Sequence, residues 1–390
     1  MDKSTFDQYV LQTYKRVPLT LVKGEGMRVW DDAGNEYLDF FPGWGAGNLG
    51  HCHPSVVAAV RAQAEKIMHI PNVYYNELQG KLAQLLVASS FDGQVFFCNS
   101  GAEANEGAIK LARKRDATKK TIITLKDSFH GRTLATLAAT GQPEYQQGFD
   151  PLPAGFVYSE PNDVPMLERL MDTEVAAVLL EPVLGEGGVL PLTPAYLRAA
   201  RTLCDRFGAL LILDQVQTGI GRTGRMFAWQ HYGVVPDVLT LAKSLGGGMA
   251  IGAFVVGRAH CGILGPGSHG STFGGNPMAC AAGVAVLQTI AAEGLLDRAA
   301  KTGALLQAGL LRLAQRHALI AEVRGLGMMW GVVLKGEGAE VVMRCREKGV
   351  LINCTHGNVL RLMPAITATE GEIAQAITVL DEVLGELPQA

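Results

Sequence analysis

The chain has 390 residues and a formal net charge of -3; 48% of its residues are hydrophobic and 18% are charged. This composition is typical of a folded α/β protein, and the length predicts two domains, or one large domain with a smaller appendage, because single hydrophobic cores rarely grow so large. The near-balanced charge gives no reason to expect a nucleic-acid or membrane partner. No apolar run approaches the roughly 20 residues of a transmembrane helix, and the polar N-terminal stretch lacks a secretory signal.

The seven cysteines are dispersed and form no C-x-x-C pair. An odd number of scattered thiols indicates a reducing compartment, so we expect a cytoplasmic protein. His51, Cys52 and His53 are adjacent in the sequence. Without a second cluster of ligands they are a weak zinc signal, and we expect no metal site.

The N-terminal part predicts a small β-structure, in which "MRVWD" and "EYLDF" are strands joined by the turn "DAGN". A helix is predicted to begin at His53-Pro54-Ser55. From about residue 77 to 260, helical stretches alternate with short apolar strands, which predicts a mostly parallel sheet covered by helices. Its strands are "QVFFC", "TIITL", "VAAVLLE", "ALLILD", "VLTLA" and "AFVVG".

The C-terminal part predicts a separate α+β region. The strand-like runs "LIAEVRGLGMMWGVVL", "VLINC" and "NVLRLMP" are interleaved with helices near 338–348 and 369–385. We expect this region to pack with the N-terminal segment, so that the large domain is inserted into a smaller one. The predicted boundaries are 1–55 and 286–390 for the two parts of the small domain, and 56–285 for the large domain.

Two of the predicted strands are followed by, or end in, groups that could bind a charged ligand: the first an anion and the second a cation. After "QVFFC", Ser100, Gly101 and Ala102 begin a helix whose free N–H groups suit a phosphate; an ordinary Ser N-cap with Glu103 in a capping box is the alternative. The strand "ALLILD" ends in Asp214. A carboxylate at such an edge is costly without a cationic partner, although a loop hydrogen bond would also account for it.

The strand "VLTLA" is followed by Lys243 and then by Ser-Leu-Gly-Gly-Gly. Burial at the edge of a core disfavours the charged amine, so either the stem reaches out to water or a neutral amine is needed for chemistry. Ligands of open α/β sheets bind beyond the carboxyl ends of the strands, where the anion cup, the carboxylate and the amine would meet. Pyridoxal 5′-phosphate (PLP) uses all three, through its phosphate, ring nitrogen and aldehyde.

The chain resembles the class III PLP-dependent aminotransferases of the acetylornithine and ornithine type, which have the type I fold, along nearly its whole length. Order and spacing of the matching stretches agree with the family pattern. These stretches are "GEGMRVWDDAGNEYLDF", "NLGHCHP", "NSGAEANEGAIKLARK", "SFHGRT", "EPVLGEGG", "LDQVQTGIGRTG", "LAKSLGGG", "GSHGSTFGGNP" and "VRGLGMM".

The resemblance implies a set of cofactor contacts. Lys243 would bond to the aldehyde and then act as the acid and base, while Asp214 would pair with the ring nitrogen. Thr272 would reach the phosphate from the partner subunit, which implies a homodimer with its active site at the subunit interface. The other implied contacts are Ser100, Gly101 and Ala102 at the phosphate, Phe129 and Val216 on the two ring faces, and Gln217 near the phenolic oxygen. Core packing is the alternative for Phe129.

The resemblance also implies substrate contacts. Arg132 and Arg361 are candidates for binding carboxylates because their planar guanidinium groups match them bidentately. Arg361 would pair with Glu186 and be released to bind a dicarboxylate, and Tyr14 would help to hold an α-carboxylate. A surface salt bridge is the alternative for each arginine.

The implied activity is the transfer of the terminal amino group of N-acetylornithine, or a close ω-amino acid, to 2-oxoglutarate. Its course is ping-pong, with the cofactor alternating between pyridoxal and pyridoxamine forms. Ornithine, 4-aminobutyrate and succinyldiaminopimelate are alternative donors. The chain departs from the family pattern at Gln215, where glutamate is usual, at Leu184, where glutamine is common, and at Trp44, where aliphatic residues are common.

Two alternatives belong to other functional classes. The stretch "GAGNLG" at 45–50 matches the G-x-G-x-x-G pattern of NAD-dependent dehydrogenases, but no strand ends in an acidic residue about 20 positions later, where Glu65 lies in a predicted helix. A non-catalytic protein of the same fold gains slight support from Gln215. The presence of both Lys243 and Asp214 argues against it.

Overall fold

The computed structural model describes residues 3–388. In chain order the helices are α1 (Lys3–Tyr9), α2 (Pro54–Ala64), α3 (Glu77–Ser89), α4 (Gly101–Arg115), α5 (Leu134–Ala139), α6 (Pro143–Gln146), α7 (Val164–Leu170), α8 (Pro194–Phe207), α9 (Pro277–Ala292), α10 (Leu295–Arg316), α11 (Ala339–Glu347) and α12 (Glu370–Glu386). Short 3₁₀ turns lie at Pro42–Gly45, Ala228–His231, Lys243–Gly246 and Arg258–His260.

The strands form four sheets. In chain order they are β1 (Leu21–Glu25), β2 (Arg28–Asp31), β3 (Glu36–Asp39), β4 (Gly93–Cys98), β5 (Thr121–Leu125), β6 (Phe156–Ser159), β7 (Val175–Leu180), β8 (Val183–Leu184), β9 (Leu190–Pro191), β10 (Leu210–Asp214), β11 (Val238–Leu241), β12 (Gly252–Gly257), β13 (Ile320–Leu326), β14 (Met329–Leu334), β15 (Val350–Leu351), β16 (Asn353–Thr355) and β17 (Val359–Leu362).

The largest sheet has seven strands in the order β4-β12-β11-β10-β7-β5-β6. Its pairings are parallel except at β12, which runs antiparallel to β11 and β4. The central strands β7 and β10 are buried along their whole length, as expected for apolar strands covered on both faces. The predicted mostly parallel α/β fold is therefore confirmed, and all six predicted strands are present.

One strand of this sheet was not predicted. β6, with the sequence FVYS, lies at the sheet edge beside β5 and is mostly half-buried. An edge strand has one neighbour, so it needs no continuous apolar run, and four residues give too short a pattern to detect.

Residues from both ends of the chain share one sheet. β1, β2 and β3 form an antiparallel meander, and β15 pairs in parallel with β3, with Val350 opposite Leu38. A second sheet from the C-terminal part has the order β13-β14-β17-β16. The predicted boundaries of the small and large domains, 1–55, 56–285 and 286–390, stay predictions.

Within residues 3–388, no single helix is long and apolar enough to cross a membrane. The consecutive helices α9 and α10 meet those criteria only as a pair, with a bend of 73° between them. Most residues of α9 are buried, and several of its side chains belong to the largest hydrophobic core, which also receives α2 and α3.

Candidate active site

A cavity of about 430 Å³ lies at the carboxyl ends of the seven-stranded sheet, where β4, β10 and β11 end. The fold thus brings together residues that are far apart in the sequence, at the edge where ligands of such sheets bind. Nine of the predicted site residues line this cavity: Ser100, Gly101, Ala102, Phe129, Arg132, Asp214, Val216, Gln217 and Lys243.

One wall of the cavity is the N-terminal end of α4. The Ser100 side chain accepts a hydrogen bond from the backbone N–H of Glu103 at 3.2 Å, so the N-cap is present. In a capping box the Glu103 carboxylate would accept from the backbone N–H of Ser100. Here it accepts from the backbone N–H of Asn99, one residue earlier, so the predicted capping box is only half formed. A Cβ on Gly101 would lie 2.8 Å from the Val216 side chain, so only glycine allows α4 to begin so close to it. The first N–H groups of the helix have no intrahelical acceptor and suit a phosphate.

Asp214, the last residue of β10, is held by three donors. Its Oδ2 accepts from Asn105 Nδ2 at 2.7 Å and lies 2.8 Å from His130 Nδ1, while its Oδ1 accepts from the Val216 backbone N–H at 3.0 Å. Asn105 Oδ1 in turn accepts from Thr240 Oγ1 at 2.7 Å. The carboxylate is 4% exposed, so its orientation is fixed by these contacts.

Glu181, like Asn105 and His130, was not predicted as a site residue, although it is the first residue of "EPVLGEGG". Its carboxylate accepts from the backbone N–H groups of Phe129 at 2.8 Å and Gly185 at 3.1 Å. Burial raises the pKa of Glu181 to about 7, with His130 opposing and Asp214 adding to the shift. One carboxylate therefore ties the segment of Phe129 to the turn that precedes Glu186.

Sequence signals for these missed residues were weak but present. Asn105 lies one turn after Gly101 on the buried face of α4, where a polar side chain needs a partner. His130 is part of "SFHGRT", and a buried histidine beside a predicted cofactor residue is a candidate for contact with an acid.

Lys243 begins the 3₁₀ turn that follows β11 and has a φ of +43°, an uncommon conformation for a residue with a side chain. Its amine lines the cavity, and burial lowers the pKa of Lys243 to about 8, with Glu186 opposing and Arg361 adding to the shift. Ser244 Oγ donates to the Gly45 carbonyl at 2.8 Å and anchors the turn. The lowered pKa favours the prediction of a neutral, reactive amine.

Arg361 and Glu186 form a buried bidentate pair. Arg361 Nη1 lies 2.7 Å from Glu186 Oε1 and Nη2 lies 3.2 Å from Oε2. Arg361 also donates to the Gly185 carbonyl and to Asn353 Oδ1, and its Cζ lies 4.7 Å from the centre of the Phe41 ring. Burial raises the pKa of Glu186, but the charge and hydrogen bonds of Arg361 outweigh it, and the net direction is down. With Arg361 1% exposed, the alternative of a surface salt bridge is wrong.

Arg132 is in a different state. It is exposed at the cavity wall, and its Cζ lies 4.0 Å from the centre of the Tyr145 ring and 5.5 Å from that of Phe129. Within residues 3–388 its guanidinium group forms no salt bridge. Phe129 is half-buried at the cavity, so its ring is not enclosed in a core.

Gln217 connects the cavity to the arginine–glutamate pair. Its Nε2 donates to Glu186 Oε1 at 3.0 Å, and its buried Oε1 has no partner among the described residues. Gln215 points elsewhere: its Oε1 accepts from the Ala228 backbone N–H at 2.7 Å, and its buried Nε2 lacks a described partner. Gln215 does not line the cavity, so the charge lost by replacing glutamate is not on the cavity wall.

Four predicted site residues do not line the cavity of their own chain: Glu186 and Arg361, which form the buried pair described above, and Tyr14 and Thr272. Tyr14 is 64% exposed, with its ring centre 6.2 Å from that of Trp44, and Thr272 is exposed on a loop. Trp44 is half-exposed and also contacts Phe41. Leu184 is fully buried in β8, where it pairs with β9, so its side chain serves packing.

The glycine-rich stretch at 45–50 does not have a nucleotide-binding geometry. It follows β3, a strand of the antiparallel meander, and it precedes α2 only after a bridge between Gly26 and His51. A dinucleotide site needs a parallel strand leading directly into a helix. The dehydrogenase alternative is therefore wrong.

The family model of class III aminotransferases matches residues 9–384. The chain belongs to the class III aminotransferase family. Members of this family are PLP-dependent enzymes, so the chain is a PLP-dependent aminotransferase.

Individual relatives agree with this membership. The acetylornithine aminotransferase of Caldanaerobacter subterraneus subsp. tengcongensis is 51% identical, over 97% of this chain and 98% of that protein. The one from Methanocaldococcus jannaschii is 49% identical, over 97% of each chain. Among solved structures, the ornithine aminotransferase from Toxoplasma gondii has a TM-score of 0.94 at 38% identity, covering 98% of this chain and 93% of that one. The acetylornithine aminotransferase from Elizabethkingia anophelis has a TM-score of 0.90 at 34% identity, covering 99% and 98%.

The chemical groups that line the cavity of this aminotransferase match those of PLP. It combines the first N–H groups of α4, a fixed carboxylate and an amine of lowered pKa, which match a phosphate, a ring nitrogen and an aldehyde. Two buried polar atoms at its wall, Gln217 Oε1 and His130 Nε2, have no partner among the described residues, which also favours a polar ligand.

Proposed function

We propose that this aminotransferase transfers the terminal amino group of N-acetylornithine to 2-oxoglutarate, giving a semialdehyde and glutamate in a ping-pong reaction. The observation that carries the proposal is that curated relatives 44–51% identical over 97–99% of the chain are named acetylornithine aminotransferases. On this proposal the enzyme acts in the cytoplasm, in arginine biosynthesis.

The cofactor would be held by the residues that line the cavity. Ser100, Gly101 and Ala102 would hold the phosphate, and Asp214 would face the ring nitrogen. Phe129 and Val216 would lie against the two ring faces, with Gln217 near the phenolic oxygen. When bound, PLP supplies an electron sink that stabilises negative charge on the substrate carbon.

Lys243 would perform the proton transfers. Its lowered pKa lets Nζ exist both as a neutral base and as an acid near neutral pH, which is the condition for efficient proton transfer in each direction. Asp214 would contribute a fixed negative charge, because its three hydrogen-bond donors prevent it from turning away.

The two arginines would divide the binding of carboxylates. Arg132 forms no salt bridge with any residue of 3–388 and would bind a carboxylate of every substrate. Arg361 is paired with Glu186, so it would not bind a donor that has only one carboxylate. When 2-oxoglutarate enters, its second carboxylate would displace Glu186 from Arg361. Tyr14 would contact the α-carboxylate of the donor from the rim.

The proposed assembly is a homodimer in which Thr272 contributes to the partner's phosphate site. An apolar patch near Thr272 supports it: Val73, Tyr74, Tyr75 and Phe273 are 58–106% exposed. Asn72 Nδ2 donates to the Ser271 and Gly274 carbonyls, which places the patch beside the loop of Thr272. Exposed apolar patches of this kind mark protein interfaces.

A steady-state screen tests the donor. N-acetylornithine, ornithine, 4-aminobutyrate and succinyldiaminopimelate are each assayed with 2-oxoglutarate, and glutamate is measured as the common product. We expect the highest kcat/KM with N-acetylornithine. A higher value with any of the other three donors would overturn the proposal.

A further inference from the structure

The guanidinium group of Arg132 contacts aromatic rings and pairs with no acid in the described part of the chain. Its Cζ lies 4.0 Å from the centre of the Tyr145 ring and 5.5 Å from that of Phe129, both within the range of a cation–π contact. The two rings meet edge to face at 89°, with their centres 6.0 Å apart. Together they form an aromatic corner in which the cation sits.

This way of holding an arginine has a chemical consequence. A cation–π contact gives the N–H donors of a guanidinium group no oxygen acceptor, and within residues 3–388 the Arg132 guanidinium group donates no hydrogen bond and forms no salt bridge. Arg361, by contrast, gives its donors to Glu186, Gly185 and Asn353. A carboxylate ligand can therefore bind Arg132 without displacing a competing acid.

Tyr145 is itself fixed in place. It lies in the single turn α6, between two glutamines that bind the surrounding backbone. Gln142 Nε2 donates to the Ser128 carbonyl at 3.0 Å, and Gln146 Nε2 donates to the Thr140 carbonyl at 2.8 Å. Gln146 Nε2 also lies 3.0 Å from the hydroxyl oxygen of Tyr158. These bonds hold the Tyr145 backbone against the segment that carries Phe129 and Arg132.

We propose that Tyr145 is a positioning residue for substrate carboxylates, because its ring holds the Arg132 guanidinium group at the cavity wall, where its N–H donors have no partner among the described residues. This inference rests on the proposed function in one respect, the binding of a substrate carboxylate by Arg132. Tyr145 itself contacts neither the reacting atoms nor the cofactor in this role.

The test compares Tyr145→Leu with Tyr145→Phe in the holoenzyme. The phenylalanine variant keeps the ring face, so KM for glutamate and for 2-oxoglutarate should stay within about twofold of the wild type. The leucine variant loses the ring, so both KM values should rise about three- to tenfold while kcat stays within about twofold. The absorbance spectrum of the bound cofactor should be unchanged in both variants. If the leucine variant does not retain cofactor, Tyr145→Met replaces it with the same expectation.

A double-mutant cycle with Arg132→Ala shows whether Tyr145 acts through Arg132. In the Arg132→Ala background, Tyr145→Leu should change KM by less than about twofold, because its effect depends on the guanidinium group. The proposal is overturned if KM is unchanged in the leucine variant, if kcat falls instead, or if the effects of the two substitutions multiply.

Glutamate and 2-oxoglutarate are used because their binding does not depend on the identity of the ω-amino donor. An enzyme that turns over glutamate but not N-acetylornithine would contradict the proposed donor and leave the Tyr145 test intact. Loss of carboxylate binding specific to Tyr145→Leu, in an enzyme active on N-acetylornithine, would support both.

Discussion

The floor and the rim of the active site are built differently. The floor, formed by Ser100, Asp214 and Lys243, lies at the ends of strands in one sheet, and its carboxylate is buried and fixed by hydrogen bonds. The rim, formed by Arg132 and, on the proposed function, by Tyr14 and Thr272, consists of exposed residues on loops. Strand ends hold chemical groups at fixed distances, whereas loops can vary with the substrate. We therefore expect substitutions in the floor to reduce the rate and those nearer the rim to change substrate preference.

The largest effect is expected at Lys243. Lys243→Ala removes the group that we propose to transfer protons, so kcat should fall by at least about 10³-fold. Steady-state assays measure this, and the phosphate contacts should still allow cofactor binding. Lys301→Ala is a matched control, since Lys301 pairs with Glu370 on the surface and should not affect turnover. Wild-type activity in Lys243→Ala would refute the role of this lysine.

A smaller loss is expected from Asp214→Asn, which keeps the shape of the side chain and removes its charge. The kcat/KM value should fall about 10²-fold, because a fixed charge in a buried site has a strong electrostatic effect. Asp381→Asn serves as the control: Asp381 also pairs with a histidine, His317, at 2.6 Å, but on α12 outside the cavity. An equal loss in both variants would indicate a general effect of the substitution and not a role for Asp214.

At the Arg361–Glu186 pair the expected change is in preference. Glu186→Ala releases Arg361, so the ratio of kcat/KM for glutamate to kcat/KM for N-acetylornithine should rise about tenfold. Glu322→Ala, which breaks an exposed pair with Arg324, is the control and should leave the ratio unchanged. If the ratio is also unchanged in Glu186→Ala, then Arg361 is not gated by Glu186.

The smallest effect is a pH dependence of cofactor capture by the apoenzyme. Only the neutral amine of Lys243 reacts with an aldehyde, and neutral amine forms as pH rises through a pKa of about 8. The rate of PLP uptake, followed by absorbance, should rise about fivefold between pH 7 and 8 and level off above pH 9. A rate that continues to rise towards pH 10 would show that burial does not lower the pKa of this lysine.

The residues of the floor could be predicted from the sequence because short local patterns mark them. An apolar run that ends in aspartate or lysine marks the end of a strand, and parallel strands place their carboxyl ends at one edge. The antiparallel direction of β12 was not predictable, since a fully apolar run carries no information on strand direction. The edge strand β6 was too short and too mixed to detect.

The network behind Asp214 was beyond sequence reasoning. Asn105 and His130 lie 109 and 84 positions from Asp214, and their contacts depend on how α4 and the loop after β5 pack on the sheet. Tyr145 was not predicted because a tyrosine in a short turn carries no sequence pattern that indicates its contact with Arg132. The predicted roles of Tyr14 and Thr272 involve a substrate and a second subunit, so they stay predictions.

The pairing of β15 with β3 affects how the chain folds during its synthesis on the ribosome. Strands β1 to β3 are synthesised early, yet their neighbour at Val350–Leu351 emerges only after the whole seven-stranded sheet. At typical translation rates this delay is on the order of tens of seconds. The exposed edge of β3 is open to wrong partners during that time, so nascent chains that stall between β12 and β15 should be the ones that depend most on chaperones.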